Sequence, residues 1–373
     1  METEIARAHQ EVALLAAGWK PPKVVAHSTK TARPDQDNEM DASEYLDDED
    51  TLASKVKAVA ALIRAARHCV CYTGAGISKS SGIPDYATKA KNTVAKISQK
   101  LKDPADAQPS LAHDALASMH RAGLVKEFVN QNHDGLFEKA GVSPLHSNLI
   151  HGDWFDVANL VVQYDEDLRG DLHKRLLISE RKADLVLVAG SSLSGMTADR
   201  IATTCGKMWE AKRPDVLGMV LVNLQKTNED DRAIVRVFCK TDDFFRMLAE
   251  ELAVPVENVR LSSIEEDVFH IPYDLNGKRL RDGDSRLLVL DLRPNARVKV
   301  VHPKANNLGN EYIMGPKRDV NGNWKIGLRP KGRFVEHSRF GTWFMQAALK
   351  GELEHLSFVN VDAQFRSDDT NGK

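Results

Sequence analysis

The 373-residue chain lacks the features that mark membrane, secreted and nucleic-acid-binding proteins. It has no run of 18 apolar residues, the length that a helix needs to span a bilayer. Its N-terminus, Met1-Glu2-Thr3-Glu4, has neither the basic start nor the apolar core of a signal peptide. Four cysteines are few for this length and favour a reducing compartment. A net charge of -2 gives no general attraction to nucleic acid or anionic membranes. We therefore expect a protein of the nucleus or cytoplasm, without a membrane or direct nucleic-acid partner.

The pattern along the chain predicts four regions. Residues 1–50 are polar, are interrupted by Pro21-Pro22 and end in an acidic stretch, which is typical of a flexible N-terminal extension. Residues 51–256 alternate short apolar runs with stretches of helical spacing, which predicts a single domain of strands and helices. Residues 257–363 contain period-two alternation and hairpin signals, which predict a β-rich accessory module. Residues 364–373 are predicted to be a disordered tail.

Each apolar run in residues 51–256 is followed at once by glycine or polar residues. Continuous apolar runs are typical of strands that are buried on both faces. Their alternation with helices predicts an α/β fold with a doubly wound parallel sheet, similar to the Rossmann fold, and a ligand at the carboxyl ends of the strands. The residues that follow four of these runs begin with Gly74, Gln131, Gly190 and Asn223. We expect them to meet at one edge of the sheet.

The glycine-rich turn is the most informative of these loops. Residues 73–86 read T-G-A-G-I-S-K-S-S-G-I-P-D-Y after a short apolar run. Gly74 and Gly76 allow close approach of the backbone, so main-chain N–H groups can point at phosphate oxygens. The turn is not the dinucleotide fingerprint G-x-G-x-x-G, because Lys79 stands where the third glycine is expected.

Five separated motifs resemble those of the sirtuins, the NAD-dependent protein-lysine deacylases. They are the glycine-rich turn, residues 131–136 (Q-N-H-D-G-L), His151 followed by Gly152, residues 190–193 (G-S-S-L) and residues 222–227 (V-N-L-Q-K-T). The motifs stand in the family's order and cover roughly residues 55–252. The resemblance therefore implies that residues 51–256 are a sirtuin-like, NAD-binding catalytic domain. The N-L-Q-x-T form resembles the branch that contains the nuclear sirtuins of animals.

The resemblance implies an activity and a set of catalytic residues. Sirtuins transfer the acyl group of an acyl-lysine protein, histones among them, to the ADP-ribose part of NAD and release nicotinamide. His151 matches the base that deprotonates a ribose hydroxyl, a task that suits imidazole because its unperturbed pKa is near neutrality. His146 is the weaker candidate, since no glycine follows it. Asn132 and Asp134 match the residues that orient the nicotinamide ribose and hold its carboxamide, and Gln131 would touch the same ribose.

The resemblance also implies a cofactor pocket for NAD. Ser191 and Ser192 match hydroxyls near the phosphates and the adenosine ribose, and Asn223 matches a ribose contact. Lys240 and Thr241 match a loop beside the adenine, although a solvated turn is the alternative there. The full set of predicted cofactor-binding residues is Gly74, Ala75, Gly76, Ser78, Ile83, Asp85, Tyr86, Gln131, Gly190, Ser191, Ser192, Asn223, Lys240 and Thr241.

The chain departs from the family at its metal module. Sirtuins carry two C-x-x-C pairs on a zinc module after the catalytic histidine. Here only residues 153–160 separate His151-Gly152 from residues 161–166 (V-V-Q-Y-D-E), which resemble the family's V-V-x-F-G-E. The cysteines, at positions 69, 71, 205 and 239, form no such pairs, so we expect no zinc. A site built from His133, His146 and His151 is the alternative.

Two substitutions leave the activity open. Ala87 replaces the arginine of the family's D-F-R, and Asp165 replaces a glycine in the segment that pairs with the substrate peptide. We expect NAD binding to survive these changes better than peptide binding. The alternatives to a deacylase are therefore an NAD-dependent ADP-ribosyltransferase and a catalytically silent NAD-binding interaction module. An ordinary dehydrogenase is disfavoured by the missing third glycine.

Overall fold

The computed structural model describes residues 3–32, 40–95, 104–162, 166–261 and 263–366. Its helices are α1 (Glu4–Ala16), α2 (Glu49–Ala65), α3 (Leu111–Arg121), α4 (Leu136–Lys139), α5 (Gly170–Lys182), α6 (Arg200–Glu210), α7 (Thr241–Glu251) and α8 (Thr342–Leu349). Its first eight strands are β1 (Lys23–Ala26), β2 (Glu44–Leu46), β3 (Cys69–Thr73), β4 (Glu127–Asn130), β5 (Ser147–Leu149), β6 (Leu185–Ala189), β7 (Gly218–Val222) and β8 (Ala233–Val237). The remaining strands are β9 (Val268–Ile271), β10 (Leu288–Asp291), β11 (Arg297–Val300), β12 (Glu311–Met314), β13 (Trp324–Leu328), β14 (Val335–Phe340), β15 (Phe358–Asn360) and β16 (Gln364–Phe365).

The chain divides into two compact units that are not contiguous in sequence. The first unit comprises Met1–Asn132, His146–Ile150 and His173–Val259. The second unit comprises His133–Leu145, His151–Leu172 and Arg260–Lys373. The sequence instead predicts a boundary at residue 256 with everything before it in one domain. The division differs because two short inner segments pack with the C-terminal region, and such long-range packing leaves no periodic signal in the segments themselves.

A six-stranded parallel sheet forms the centre of the first unit. Its strand order is β5-β4-β3-β6-β7-β8, so the connections reverse direction between β3 and β6. The strands β3, β6 and β7 are buried along their whole length, as their unbroken apolar sequences require. The predicted α/β fold with a doubly wound, Rossmann-like sheet is confirmed.

Helix α2 shows how local sequence sets the elements around this sheet. The carboxylate of Asp48 accepts a hydrogen bond from the backbone N–H of Thr51 at 3.1 Å and caps the helix. Val56, Val59 and Ile63 are buried, as their helical spacing predicts. Among the helices in the described ranges, none combines the length and the hydropathy of a membrane span.

The N-terminal region differs from the flexible extension that the sequence predicts for residues 1–50. Ile5, Ala8 and Val12 form a buried stripe on α1, which packs against α2. The Trp19 indole donates a hydrogen bond to the Ser54 hydroxyl at 3.0 Å. The prediction rests on the low average hydropathy of this region, which does not show the narrow apolar stripe that packs α1 against its neighbour. Residues 33–39 lie outside the described residues.

The second unit contains two antiparallel sheets. One has the order β16-β10-β9 and the other β14-β13-β12-β11-β15, and α8 follows β14 directly. Strand β11 alternates between exposed and buried positions, as expected from its period-two sequence. The predicted β-rich character of the C-terminal region is confirmed. Strand β16 lies within the predicted tail, so ordered structure extends beyond residue 363, and residues 367–373 lie outside the described part.

Candidate functional site

Two glycine loops lie against each other where the sheet reverses direction. The backbone N–H of Gly74 donates to the carbonyl of Ala189 at 3.0 Å, and that of Gly76 donates to the carbonyl of Gly190 at 2.9 Å. A Cβ atom on Gly190 would lie 2.5 Å from the backbone N of Ile77, which no side chain tolerates. Glycine is therefore required by the approach of two backbones. In a doubly wound sheet, this point is where ligands bind.

The loop after β4 joins the two glycine loops. The Asn132 side-chain NH₂ donates to the carbonyl of Gly74 at 3.1 Å and to the Ser78 hydroxyl at 3.3 Å. The Gln131 side-chain NH₂ donates to the Ser191 hydroxyl at 3.1 Å. Three loops that are far apart in sequence are thus tied together by side chains that the sequence analysis selected.

A buried polar network lies beneath these loops. The Tyr72 hydroxyl donates to Asp199 Oδ1 at 2.6 Å, while the backbone N–H groups of Gly195 and Met196 each donate to Oδ2 at 2.9 Å. The Gln131 NH₂ also donates to the Tyr72 hydroxyl oxygen. Burial raises the pKa of Asp199, whereas the hydrogen bond from Tyr72 lowers it. The network fixes the loop that carries Ser191 at its start and Asp199 at its end.

The sequence analysis missed Tyr72 and Asp199. A tyrosine at the end of a fully buried strand needs a partner for its hydroxyl, and that is the available signal. Nothing in the sequence names Asp199 as this partner, because 127 residues separate the two.

Asn223 supports the second glycine loop from the neighbouring strand. Its side-chain NH₂ donates to the carbonyl of Ser191 at 3.1 Å, and its side-chain oxygen accepts from the backbone N–H of Leu224 at 2.9 Å. The hydroxyls of Ser192 and Ser194 are 2.8 Å apart and share a hydrogen bond. Ser192 and Asn223 therefore lie with Ser191 at the carboxyl ends of β6 and β7.

The loop that carries Asp85 and Tyr86 is held by its own polar groups. The Asp85 carboxylate accepts from both the backbone N–H and the hydroxyl of Thr88 at 2.9 Å, and the Lys79 ammonium lies 3.5 Å from it. Ile83 is nearly buried, while Tyr86 is 78% exposed. The carbonyl of Ala87 accepts a hydrogen bond from the Gln225 side chain at 2.9 Å. Asp85 thus shapes the loop, and Tyr86 is open to a ligand or solvent.

Lys240 and Thr241 follow β8, the edge strand of the sheet. Lys240 precedes α7 and its carbonyl accepts from the backbone N–H of Phe244 at 3.0 Å, while Thr241 is the first helical residue. The strand order places this loop two strands away from β6. It shares the carboxyl edge of the sheet with the other candidates, but it is the outermost of them.

Asp134 and His151 belong to the second unit. Asp134 is fully buried, and its carboxylate accepts from the backbone N–H of Leu136 at 3.1 Å. His151 is 7% exposed, and its carbonyl accepts from the backbone N–H of Val162 at 2.9 Å. Gly152 has a φ of 97°, and a Cβ there would lie 2.5 Å from Val161 Cα. The glycine after the histidine is therefore needed to let the chain double back.

Two segments of the second unit are connected through His133. Its ring Nδ1 lies 3.1 Å from the carbonyl oxygen of Gly152, and its own carbonyl accepts from the backbone N–H of Trp154 at 3.1 Å. Burial lowers the pKa of His133, while the bond to Gly152 raises it. The residues beside Asp134 and those beside His151 are thus joined directly.

Sequence comparison relates the chain to known proteins. No protein-family model matches the chain. The chain is 30% identical over 269 residues to the NAD-dependent protein deacetylase sirtuin-7 of Rattus norvegicus, which covers 58% of this chain and 64% of the relative. It is 28% identical over 258 residues to the NAD-dependent protein deacetylase SRT1 of Arabidopsis thaliana, which covers 57% of this chain and 52% of the relative.

The chain is similar to the sirtuins over more than half of its length. It spans less than two thirds of the length of the rat relative. Among solved structures, it is similar to a Sir2 bound to a p53 peptide and NAD+, with 25% identity and a TM-score of 0.44, over 52% of this chain and 97% of the other. A TM-score that low supports no inference about function.

The cysteines at positions 69, 71, 205 and 239 lie inside the first unit. Cys69 and Cys71 are buried on β3, Cys205 is buried on α6 and Cys239 is buried after β8. Burial raises the pKa of the Cys205 thiol to about 12. Within the described ranges, no group of three or more His, Cys, Asp or Glu side chains is arranged to hold a metal ion. The absence of zinc stays a prediction.

Proposed function

We propose that this protein is a sirtuin, an NAD-dependent protein-lysine deacylase that transfers the acyl group to ADP-ribose and releases nicotinamide. The names of its relatives support this proposal, since both are called NAD-dependent protein deacetylases. Bound NAD supplies the ribose carbon that accepts the acyl oxygen and the nicotinamide that leaves.

The single observation that carries the proposal is the meeting of three loops at the point where the sheet reverses. Close packing of Gly74, Gly76 and Gly190 leaves bare backbone where phosphates bind in doubly wound folds. The amide of Asn132 and the hydroxyl of Ser191 are already fixed by hydrogen bonds at the same edge. These donors and acceptors suit a nucleotide with two phosphates and two riboses.

We assign roles to the residues by combining this geometry with the family motifs. The backbone around Gly74 and Gly76 would bind phosphate, and Asn132 would orient the nicotinamide ribose. Asp134 would accept a hydrogen bond from the carboxamide of the nicotinamide. His151 would take a proton from a ribose hydroxyl, because neutral imidazole is a base near pH 7.

Other residues of the predicted pocket are consistent with NAD binding at this site. Gln131 and Ser191 form one hydrogen-bonded pair, and Asn223 holds the carbonyl of Ser191. The exposed ring of Tyr86 is available to cover a bound nucleotide. We further propose an acyl-lysine protein as partner, with histones as one candidate class, and a nuclear or cytoplasmic location.

Substitution of His151 tests the proposal. His151→Ala should lower the rate of acyl transfer from an acetylated peptide by about 10² to 10⁴, the usual contribution of a general base. His146→Ala is the matched control, because His146 lies in the first unit against His120, with ring centroids 4.8 Å apart. Equal rates in the two variants would refute the role of His151.

The identity of the products separates the deacylase from its alternatives. The wild-type protein would be incubated with NAD and with acetylated, longer-acylated and unmodified peptides, and all products identified by mass spectrometry. Acylated ADP-ribose supports the deacylase, whereas ADP-ribosylated protein or free ADP-ribose supports a transferase. NAD binding by calorimetry without any turnover would favour a silent module, to which the loss of an arginine at Ala87 points.

A further inference from the structure

The segment around His151 has little regular structure of its own. Between β5 and α5, residues 150–169 contain no helix or strand in the described ranges 150–162 and 166–169. An irregular segment pays a large entropic cost to hold one conformation, so contacts from elsewhere must fix it. We call residues 151–162 the histidine segment. Within the second unit, it packs with Arg260–Lys373, which we call the C-terminal region.

Aromatic packing makes the first connection. The ring of Trp343, on α8, meets Phe155 edge-on, with centroids 5.0 Å apart. Both side chains are buried, with Phe155 fully so. Gly135 lies against the same pair, and a Cβ there would come within 2.9 Å of the Trp343 ring and 3.1 Å of Phe155. Trp343 therefore contacts both the residue next to Asp134 and the histidine segment.

Hydrogen bonds make the second connection, at successive residues of the histidine segment. The backbone N–H of Arg339 donates to the carbonyl of Trp154 at 3.2 Å, and that of Gly341 donates to the carbonyl of Phe155 at 3.0 Å. Arg339 lies in β14, an edge strand of the five-stranded sheet, and Gly341 directly follows that strand. They are main-chain bonds, so no single side-chain substitution removes them.

Two side chains of the C-terminal region complete the set. The hydroxyl of Ser357 donates to Asp156 Oδ1 at 2.6 Å, and the side-chain NH₂ of Asn307 donates to the carbonyl of Val157 at 3.1 Å. Both bonds are buried, where a hydrogen bond is costly to lose. Four consecutive residues, from Trp154 to Val157, are thereby each held by a different residue of the C-terminal region.

We propose that the C-terminal region is the positioning module for His151. Ser357, Asn307 and Trp343 are positioning residues, which act on the reaction only by fixing the histidine segment. This proposal rests on the proposed function of His151 as the base. A displacement of about 1 Å in a reacting group can cost a factor of 10² in rate, so each contact has a measurable effect on turnover.

The test compares Asn307→Ala and Ser357→Ala with Asn360→Ala in the full chain. Asn360 is a matched control, because its side chain also bonds backbone groups, at 2.8 Å to Asp291, but it joins β15 to β10 and does not touch the histidine segment. We expect kcat to fall about 10- to 100-fold in the first two variants, with NAD affinity within about threefold of wild type. Ser357→Thr retains the hydroxyl and should recover most of the activity.

Amide hydrogen exchange gives a readout that does not depend on turnover. Exchange of the histidine segment should accelerate at least about tenfold in Ser357→Ala and Asn307→Ala, and stay unchanged in Asn360→Ala. Unchanged protection in all three variants would overturn the proposal. If the wild type shows no turnover while the exchange result holds, the proposed function fails and the positioning role of the C-terminal region stands.

Discussion

Alanine substitutions at three glycines separate two physical effects at the candidate cofactor site. Gly190 combines a left-handed backbone, with φ of 64°, with a contact in which a Cβ would lie 2.7 Å from Gly76 Cα. Gly195, in the same loop, has a φ of 92° but nothing within 4 Å of its Cβ position. Gly76 lies outside the left-handed region but faces the Cα of Gly190, also at 2.7 Å. Gly190→Ala therefore carries both backbone strain and a steric clash. Gly195→Ala carries the strain alone, and Gly76→Ala carries the clash alone.

The expected magnitudes follow from these two effects. A side chain in the left-handed region costs about 1–2 kcal/mol, which is the expected loss of unfolding free energy for Gly195→Ala. Overpacking costs about 1–3 kcal/mol, which applies to Gly76→Ala. Gly190→Ala should lose about 2–5 kcal/mol, the sum of both. Because the clash is between two backbones, the loops must separate to relieve it.

Separation of the loops should also weaken NAD binding. We expect Gly190→Ala and Gly76→Ala to lose about 10- to 100-fold in affinity, or about 1.4–2.7 kcal/mol, by isothermal titration calorimetry. Gly195→Ala should bind NAD nearly as the wild type does. Chemical denaturation gives the three stabilities. The reasoning is refuted if Gly190→Ala and Gly195→Ala are equally stable and bind NAD equally well.

Two further predictions concern buried polar groups. Tyr72→Phe removes the donor to Asp199 and should cost about 1–3 kcal/mol of unfolding free energy. Adding Asp199→Asn to this variant should cause a smaller further loss. A loss under about 0.5 kcal/mol for Tyr72→Phe would contradict the role of the network. Burial, and then the charge of Glu138, raise the pKa of Asp153 well above 3.8, so the native state retains a proton that the unfolded state releases. The free energy of unfolding should therefore fall as pH rises above about 3.8 toward the raised pKa, and Asp153→Asn should flatten this dependence in urea titrations at several pH values. A variant with the same pH dependence as the wild type would exclude this carboxyl as the cause.

The sequence was sufficient to predict the central sheet and the loops at its edge. Unbroken apolar runs such as β3 and β6 specify strands buried on both faces, and each is followed directly by its glycine loop. The hydrogen bonds of Asn132 and Gln131 to these loops agree with their selection from the motifs. Whether these residues bind NAD stays a prediction.

The parts that the sequence did not predict depend on long-range packing. The apolar stripe on α1 stabilises this helix only when it packs against α2, because a short helix buries little apolar surface on its own. The pairing of Tyr72 with Asp199 joins strand β3 to the loop between β6 and α6. Likewise, the sequence around Phe155 does not predict that the ring of Trp343 packs against it. In each case the partner is specified by the folded chain and not by its neighbours in sequence.

The interleaved order of the two units has a consequence for synthesis on the ribosome. The chain passes from one unit to the other five times, so neither can be completed before the last of these passages, at Arg260. Trp343 is synthesised 188 residues after Phe155. At a synthesis rate of about 5–20 residues per second, the ring of Phe155 therefore stays without its Trp343 contact for roughly 10 to 40 s. During this interval the nascent protein exposes apolar surface that is buried in the folded protein. We expect chaperones to bind this surface during that interval.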